Sequence, residues 1–107
     1  MERKPPEPLF GKIDALEIPV PDLEPGLAFY PYRLGHELIW RAQTATGLRM
    51  PYTDAEIVLQ TQREVMDVDL LVESADDAAR AISLAGGKVL VPPFDVRVGR
   101  CVAVENP

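Results

Sequence analysis

Displacing the sequence by 52 residues lays its second half over its first with caps, helix faces and turn glycines in register. Val20 falls on Val72, Asp22 on Ser74, Glu24 on Asp76, Leu27 on Ala79, Tyr30 on Ile82, Leu34 on Gly86, Gly35 on Gly87, Leu38 on Leu90 and Gly47 on Gly99. Four of these nine pairs are identities. What repeats is the kind of element each residue serves, which points to one supersecondary unit used twice. At 107 residues, 47% of them hydrophobic, the chain has room for both units within one globular domain.

Each unit reads as a strand, a helix and further strands. Ile13, Ala15, Leu16, Ile18 and Val20 give a strand of period near two that begins at Lys12 and stops at Pro21-Asp22, where Asp22 can cap a helix. Leu23, Leu27, Tyr30 and Leu34 then line one helix face. Pro31 lacks the N–H for the carbonyl four residues back, so the last turn is expected to kink or end before Gly35. A meander follows: Leu38-Ile39-Trp40, a turn at Thr46-Gly47, Leu48 to Tyr52, a turn at Thr53-Asp54, and Glu56 to Thr61. The second unit predicts a strand over 67–73, a helix over 75–85 that buries Ala75, Ala78, Ala79, Ile82 and Ala85, and a strand over 88–91. A break at Pro92-Pro93 and a strand over 99–104 complete it.

The fold expected is therefore α+β, with two βαβββ-type modules, 12–62 and 67–107, forming a cupped mixed sheet in a single domain over 12–107. Residues 1–11 read as an extended arm, because Pro5, Pro6 and Pro8 fix φ and remove donors. The last strand of the first module maps onto positions 108–113, so the second module is expected to lack its final strand and to leave a strand edge open.

Composition narrows the partners. Eleven Lys and Arg against seventeen Asp and Glu give a net charge of −6, and no basic stripe exists to neutralise phosphates, so no nucleic-acid partner is expected. No run approaches the roughly 18 apolar residues of a membrane span, and no secretory h-region follows the N-terminus, so no membrane partner is expected either. Cys101 is the single cysteine, which removes an intrachain disulfide scaffold and makes a reducing cytoplasm the expected location.

The stretch Ile18-Pro19-Val20-Pro21-Asp22-Leu23, with Leu27-Ala28-Phe29-Tyr30 and Leu34-Gly35, resembles the vicinal oxygen chelate superfamily. So do Gly86-Gly87-Lys88-Val89, Pro92-Pro93 and the closing Glu105-Asn106-Pro107. That superfamily contains glyoxalase I, bleomycin-resistance proteins, extradiol dioxygenases and methylmalonyl-CoA epimerase. The resemblance covers about Lys12 to Pro107 and implies paired βαβββ modules around a cleft, frequently completed by dimerisation. It also implies divalent-metal ligands of His, Glu or Gln type on the first and last strand of each module. Carried over residue by residue, these fall on Ala15, Val58 and Asp67, with a fourth beyond Pro107. Ala15 and Val58 have no donor atom, so the resemblance in this chain implies no metal and no cofactor.

The residues themselves supply a candidate site. Strand alternation sets Ala15, Glu17 and Pro19 on one face and Asp67, Asp69 and Leu71 on its counterpart, with Glu17 and Asp69 related by the repeat. Two such carboxylates facing a common cleft can share a proton, bind a cationic ligand or hold a hard cation; otherwise they pair with Arg49, Arg97 or Arg100 or reach solvent. Glu56 and Gln60 share the cavity face of their strand with Val58, and Glu56 is a candidate displaced oxygen ligand. Trp40, Tyr52 and Phe94 can line an aromatic pocket or fill the core, and Arg97 and Arg100 can clamp an anion or remain solvated. His36 reads as a solvated turn residue and Cys101 as buried packing.

Two functions follow as expectations. The first is metal-independent binding of a small molecule in a cleft between modules, by a homodimer of the bleomycin-resistance type. The second is a lyase, isomerase or dioxygenase of the glyoxalase type, using a divalent metal ion at a rearranged site of Glu17, Glu56, Asp67 and Asp69. No other catalytic motif is present, so no catalytic residue is assigned.

Overall fold

The computed structural model describes residues 5–107; the first four residues of the expected arm lie outside the described residues. The chain divides into two compact units, Lys12–Leu71, and Val72–Pro107 with the segment before Lys12. The architecture is α+β, with a mixed sheet that does not close into a barrel and two short helices.

In the first unit the elements are β1 (Lys12–Pro19), α1 (Leu23–Leu27), a π-helical turn (Ala28–Arg33), β2 (Leu38–Arg41), β3 (Ala45–Arg49), β4 (Glu56–Gln60) and β5 (Asp67–Leu71). They build one five-stranded sheet in the order β2-β3-β4-β1-β5. β1 runs parallel to β4, the crossover being carried by α1 and the meander, while the other pairings are antiparallel. The helix covers one face, where Leu23 and Leu27 pack with the buried Leu48 and Leu59 and with the half-buried Ile18, Ile57 and Tyr30. Gly26 lets α1 approach β4 closely, since a Cβ there would stand 2.7 Å from Leu59 Cδ1.

The helix ends before Gly35, as expected, but Pro31 is accommodated by a π turn rather than a kink. The α-helix gives way to a π turn in which the Leu34 N–H donates to the Phe29 carbonyl at 3.0 Å, a span of five residues that passes over the donor proline lacks. The turn closes on Gly35 at φ +80, a left-handed conformation suited to glycine. Widening the helix rotates Leu34 off the face it was expected to line, and the side chain is exposed.

β2 and β4 stand where the meander was expected, while β3 between them starts at Ala45 rather than Leu48. The chain reverses at 42–44, with the Ala42 N–H donating to the Ala45 carbonyl at 2.8 Å, and Thr46 and Gly47 lie inside β3 rather than in a turn. Pro51 and Tyr52, expected at the end of a strand, form the turn instead.

The second unit contains α2 (Ala75–Leu84) and a two-stranded sheet of β6 (Lys88–Val96) and β7 (Gly99–Glu105). Ser74 caps α2, its hydroxyl accepting from the Asp77 N–H at 3.1 Å. Ala75, Ala78 and Ala79 are buried as expected, but Ile82 is only half-buried and Ala85 is exposed. Pro92-Pro93 does not break β6: the pairing with β7 shifts register between Val91 and Phe94, so the two residues without an N–H sit at a bulge. Among the described residues no helix is long and apolar enough to cross a membrane.

Candidate functional site

Cross-strand register determines what the face of the first sheet opposite α1 displays. One row across the sheet reads Trp40, Gly47, Val58, Glu17, Asp67, and the next reads Arg49, Glu56, Ala15, Asp69. Residues directly opposite in neighbouring strands point to the same side, so these nine positions share a face. Leu48, Ile57, Leu59 and Ile18 occupy the intervening positions under α1. Glu17, Trp40, Glu56, Asp67 and Asp69, all anticipated as site residues, are thus placed on one surface of β1, β2, β4 and β5.

Two carboxylates share one arginine. Arg63 Nη2 lies 3.0 Å from Glu17 Oε1 and 2.6 Å from Asp67 Oδ2. Glu17 stands opposite Asp67 and diagonally to Asp69, which is itself opposite Ala15. The repeat suggested a symmetric pairing of Glu17 with Asp69; the strands place them as diagonal neighbours. They nonetheless share a side-chain hydrogen bond, and Asp69 is pushed up to about 7, first by burial and then by that bond and by the charges of Glu17, Asp67 and Asp14. Asp69 therefore keeps its proton to a higher pH than a solvated aspartate does. Arg63 is displaced upward as well, which in its case favours the charged form. Burial opposes its charge, and the carboxylates of Glu17 and Asp67 outweigh that, holding the guanidinium above its ordinary value.

Gln60 positions Arg63. Its side chain is 3% exposed. Its Oε1 accepts from the N–H groups of Gln62 at 2.9 Å and Arg63 at 2.7 Å, while its Nε2 donates to the Arg63 carbonyl at 2.9 Å. Gln60 is therefore a scaffold for the turn after β4, not an exposed ligand-binding group. Arg63 itself was missed in the sequence because residues 63–66 read as a connector between modules. Its spacing of four from Asp67 was the available signal.

Trp40 and Glu56 form the second part of the surface. The indole Nε1 donates to Glu56 Oε1 at 2.7 Å, reaching across β3 above Gly47. A Cβ at position 47 would stand 2.5 Å from Glu56 Oε1 and 2.5 Å from Trp40 Cε2, so the ring lies where a side chain would otherwise be. Trp40 and Glu56 are both half-buried. Ala15 and Val58, between the two polar groups, are buried and apolar.

Of the remaining expected residues, Arg49 shares this face, and Tyr52, Arg97 and Arg100 lie outside its strands. Tyr52 is 99% exposed in its turn. Arg97 is exposed in the turn joining β6 to β7, and Arg100 ties Asp76 of α2 (Nε–Oδ2 2.8 Å) and Asp95 of β6 (Nη1–Oδ1 2.9 Å) to β7. Arg49 pairs with Glu37 at 3.1 Å. None of the three arginines offered as partners of Glu17 and Asp69 therefore pairs with them. His36 is half-buried rather than solvated, its Nδ1 donating to the Arg49 carbonyl at 3.0 Å, and Cys101 is exposed rather than buried. Among the described residues no group of three or more His, Cys, Asp or Glu side chains is arranged to hold a metal ion.

The first unit is thus an α+β sheet domain with an acidic, tryptophan-bearing face opposite α1. No protein-family model matches the chain, and no curated protein matches it. Among solved structures, the chain is similar to the hypothetical protein BH1468 from Bacillus halodurans C-125, with a TM-score of 0.74 and 15% sequence identity, over 88% of this chain and 83% of that one. At that identity the likeness shows a shared fold.

Proposed function

We propose that the chain is a small-molecule-binding protein of the vicinal oxygen chelate type, close in manner to the bleomycin-resistance proteins, with an incomplete second βαβββ-type module over 67–107. On this reading the face of β1, β2, β4 and β5 opposite α1 takes a flat ligand bearing a positive charge, and no bond is broken. The observation that carries it is the Trp40 ring bonded to the Glu56 carboxylate, on the same face as Glu17 and Asp67, two carboxylates that share the single guanidinium of Arg63. An indole face and a nearby carboxylate attract an organic cation together. The order β1-α1-β2-β3-β4 with β1 parallel to β4, and the repeat of caps and glycines in the sequence, support the superfamily reading.

The glyoxalase-type reading is the weaker one. It requires Glu17, Glu56, Asp67 and Asp69 as metal ligands, whereas Arg63 engages Glu17 and Asp67 and Trp40 engages Glu56. A guanidinium within ion-pair distance also repels a divalent cation. For assembly, the apolar side chains left open in the second unit, Leu84 and Val98 at 90% and 86% exposure, support a homodimer. Sedimentation should show one at micromolar concentration, and a stable monomer refutes it.

Trp40 is the single tryptophan, so its emission reports on this face alone. Titration with aromatic cations and with neutral analogues of the same shape tests the proposal. Saturable change with the cations, weakened in Glu56→Gln and absent with the neutral analogues, is expected. Equal response to both series, or none, overturns it. Metal analysis of chelator-free protein settles the second reading: stoichiometric metal lost in Asp67→Asn would favour it.

A further inference from the structure

β5 is the last strand of the first sheet, and among the described residues its ladder partner is β1 on one side only. Its sequence, Asp67-Val68-Asp69-Leu70-Leu71, contains no proline or lysine, and the only charges it carries to protect the edge are two aspartates. The irregularity in its pairing with β1 lies between Ile13 and Ala15, on the inner strand. The outward N–H and C=O groups of β5 are therefore regularly spaced. Val68 and Leu70 are 49% and 39% exposed on the helix-side face, while Asp67 and Asp69 alternate with them on the other.

The aspartates decide what can pair there. A second copy of β5 would have to join about a two-fold axis, and such pairing keeps each residue opposite one of the same face. Every register of this kind centred on residues 67 to 69 brings an aspartate opposite an aspartate, and one centred on Leu70 sets Asp67 opposite Glu73. Like charges directly opposite are destabilising. The same pattern favours a strand that carries basic residues at alternate positions. Arg63 is committed to Glu17 and Asp67, and among the described residues Asp69 has no cation of its own. A lysine or arginine on an added strand opposite Asp69 would stand about 5 Å away between Cβ atoms, near enough to hold the carboxylate ionised.

The geometry points to strand addition at β5 as an interaction site of this protein, and to an extended basic segment of another protein, with Lys or Arg alternating with Val- or Ile-like residues, as its occupant. Main-chain bonds to the outward edge supply affinity. The Asp67 and Asp69 carboxylates supply phase, since a strand slipped by one residue presents its apolar side chains to them. The main-chain edge it uses plays no part in the small-molecule reading, whereas Asp67 and Asp69 belong to both.

The test uses the full chain and two fluorescent hexapeptides of equal charge, Lys-Val-Lys-Val-Lys-Val and Lys-Pro-Lys-Pro-Lys-Pro, at low ionic strength. Anisotropy should show the first binding about tenfold more tightly than the second, which cannot donate at its prolines. Binding of the first should fall about three- to tenfold in Asp67→Asn/Asp69→Asn, and measurably in Asp69→Asn alone, which leaves the Arg63 pairs in place. Hydrogen exchange over residues 67–71 should slow when it binds. Equal affinity for the two peptides would show charge attraction only and overturn the site. Unchanged exchange over β5, or undiminished binding by both variants, would do the same. Protection of β5 that rises with protein concentration, without peptide, would assign the edge to a second copy and also overturn it.

Discussion

Trp40 donates its indole N–H to Glu56 across the backbone of Gly47, at 2.7 Å. The three residues belong to three adjacent strands, and Gly47 directly opposes Trp40 in the ladder. A large ring next to a residue without a side chain lets the indole lie along the sheet. From there its one polar atom reaches a carboxylate two strands away.

Gly47→Ala is expected to displace the ring. The added methyl falls within van der Waals radii of both Trp40 and Glu56, and overpacking of this kind costs about 1–3 kcal/mol. Chemical denaturation should show the loss, and the Trp40 emission should shift to the red as the indole swings into water. Unchanged emission with unchanged stability would mean the ring does not rest on Gly47.

Gln60→Ala is expected to cost about 1–3 kcal/mol, because the N–H groups of Gln62 and Arg63 lose the carbonyl that satisfies them. The turn after β4 should loosen as well, and faster exchange at 61–65 should accompany the loss. Gln60→Glu is the companion variant. It retains acceptors for both N–H groups but cannot donate to the Arg63 carbonyl, so it should recover part of the stability.

The contrast between these residues shows what a sequence discloses. The face shared by Glu17, Glu56, Gln60, Asp67 and Asp69 was legible because strand period is a local property, and once β1, β4 and β5 are placed the face follows. The caps at Asp22 and Ser74 were legible for the same reason. Arg63 was not, since its role depends on Gln60 folding the turn back over β1, a contact 46 residues distant in sequence. Gly47 was misread as a turn because glycine signals both reversal and close approach, and only the position of Trp40 separates the two. Pro92-Pro93 was misread as a break because a bulge keeps the strand going where a regular ladder would fail.

Ser74→Ala removes the cap of α2 and is expected to cost about 1 kcal/mol. Asp77→Ala is the control. It keeps the N–H that the cap accepts and removes the carboxylate paired with Arg80, an exposed ion pair worth less than the cap. Thermal unfolding should rank the two variants in that order, and the reverse ranking would place the stabilisation in the ion pair.

Asp69 makes stability fall as pH rises. In the folded chain its carboxyl titrates at about 7, against about 3.9 for an unperturbed aspartate. Between those values the folded state binds more protons than the unfolded state, so the slope of stability against pH is negative. Its contribution is fully present below about pH 4 and lost as pH passes 7. Asp54 and Asp76, held low by Lys12 and Arg100, act in the opposite sense near pH 4, so the wild-type curve alone does not isolate the effect. The difference between wild type and Asp69→Asn does. Asparagine keeps a donor toward Glu17 and cannot ionise, and it should raise stability by about 1–2 kcal/mol at pH 8, after allowance for the partial exposure of the site. Near pH 4 the advantage should shrink toward zero. Urea midpoints for the two proteins at pH 4, 6 and 8 measure it. A difference that stays constant across that range would show that Asp69 is already ionised beside Glu17 in the folded chain.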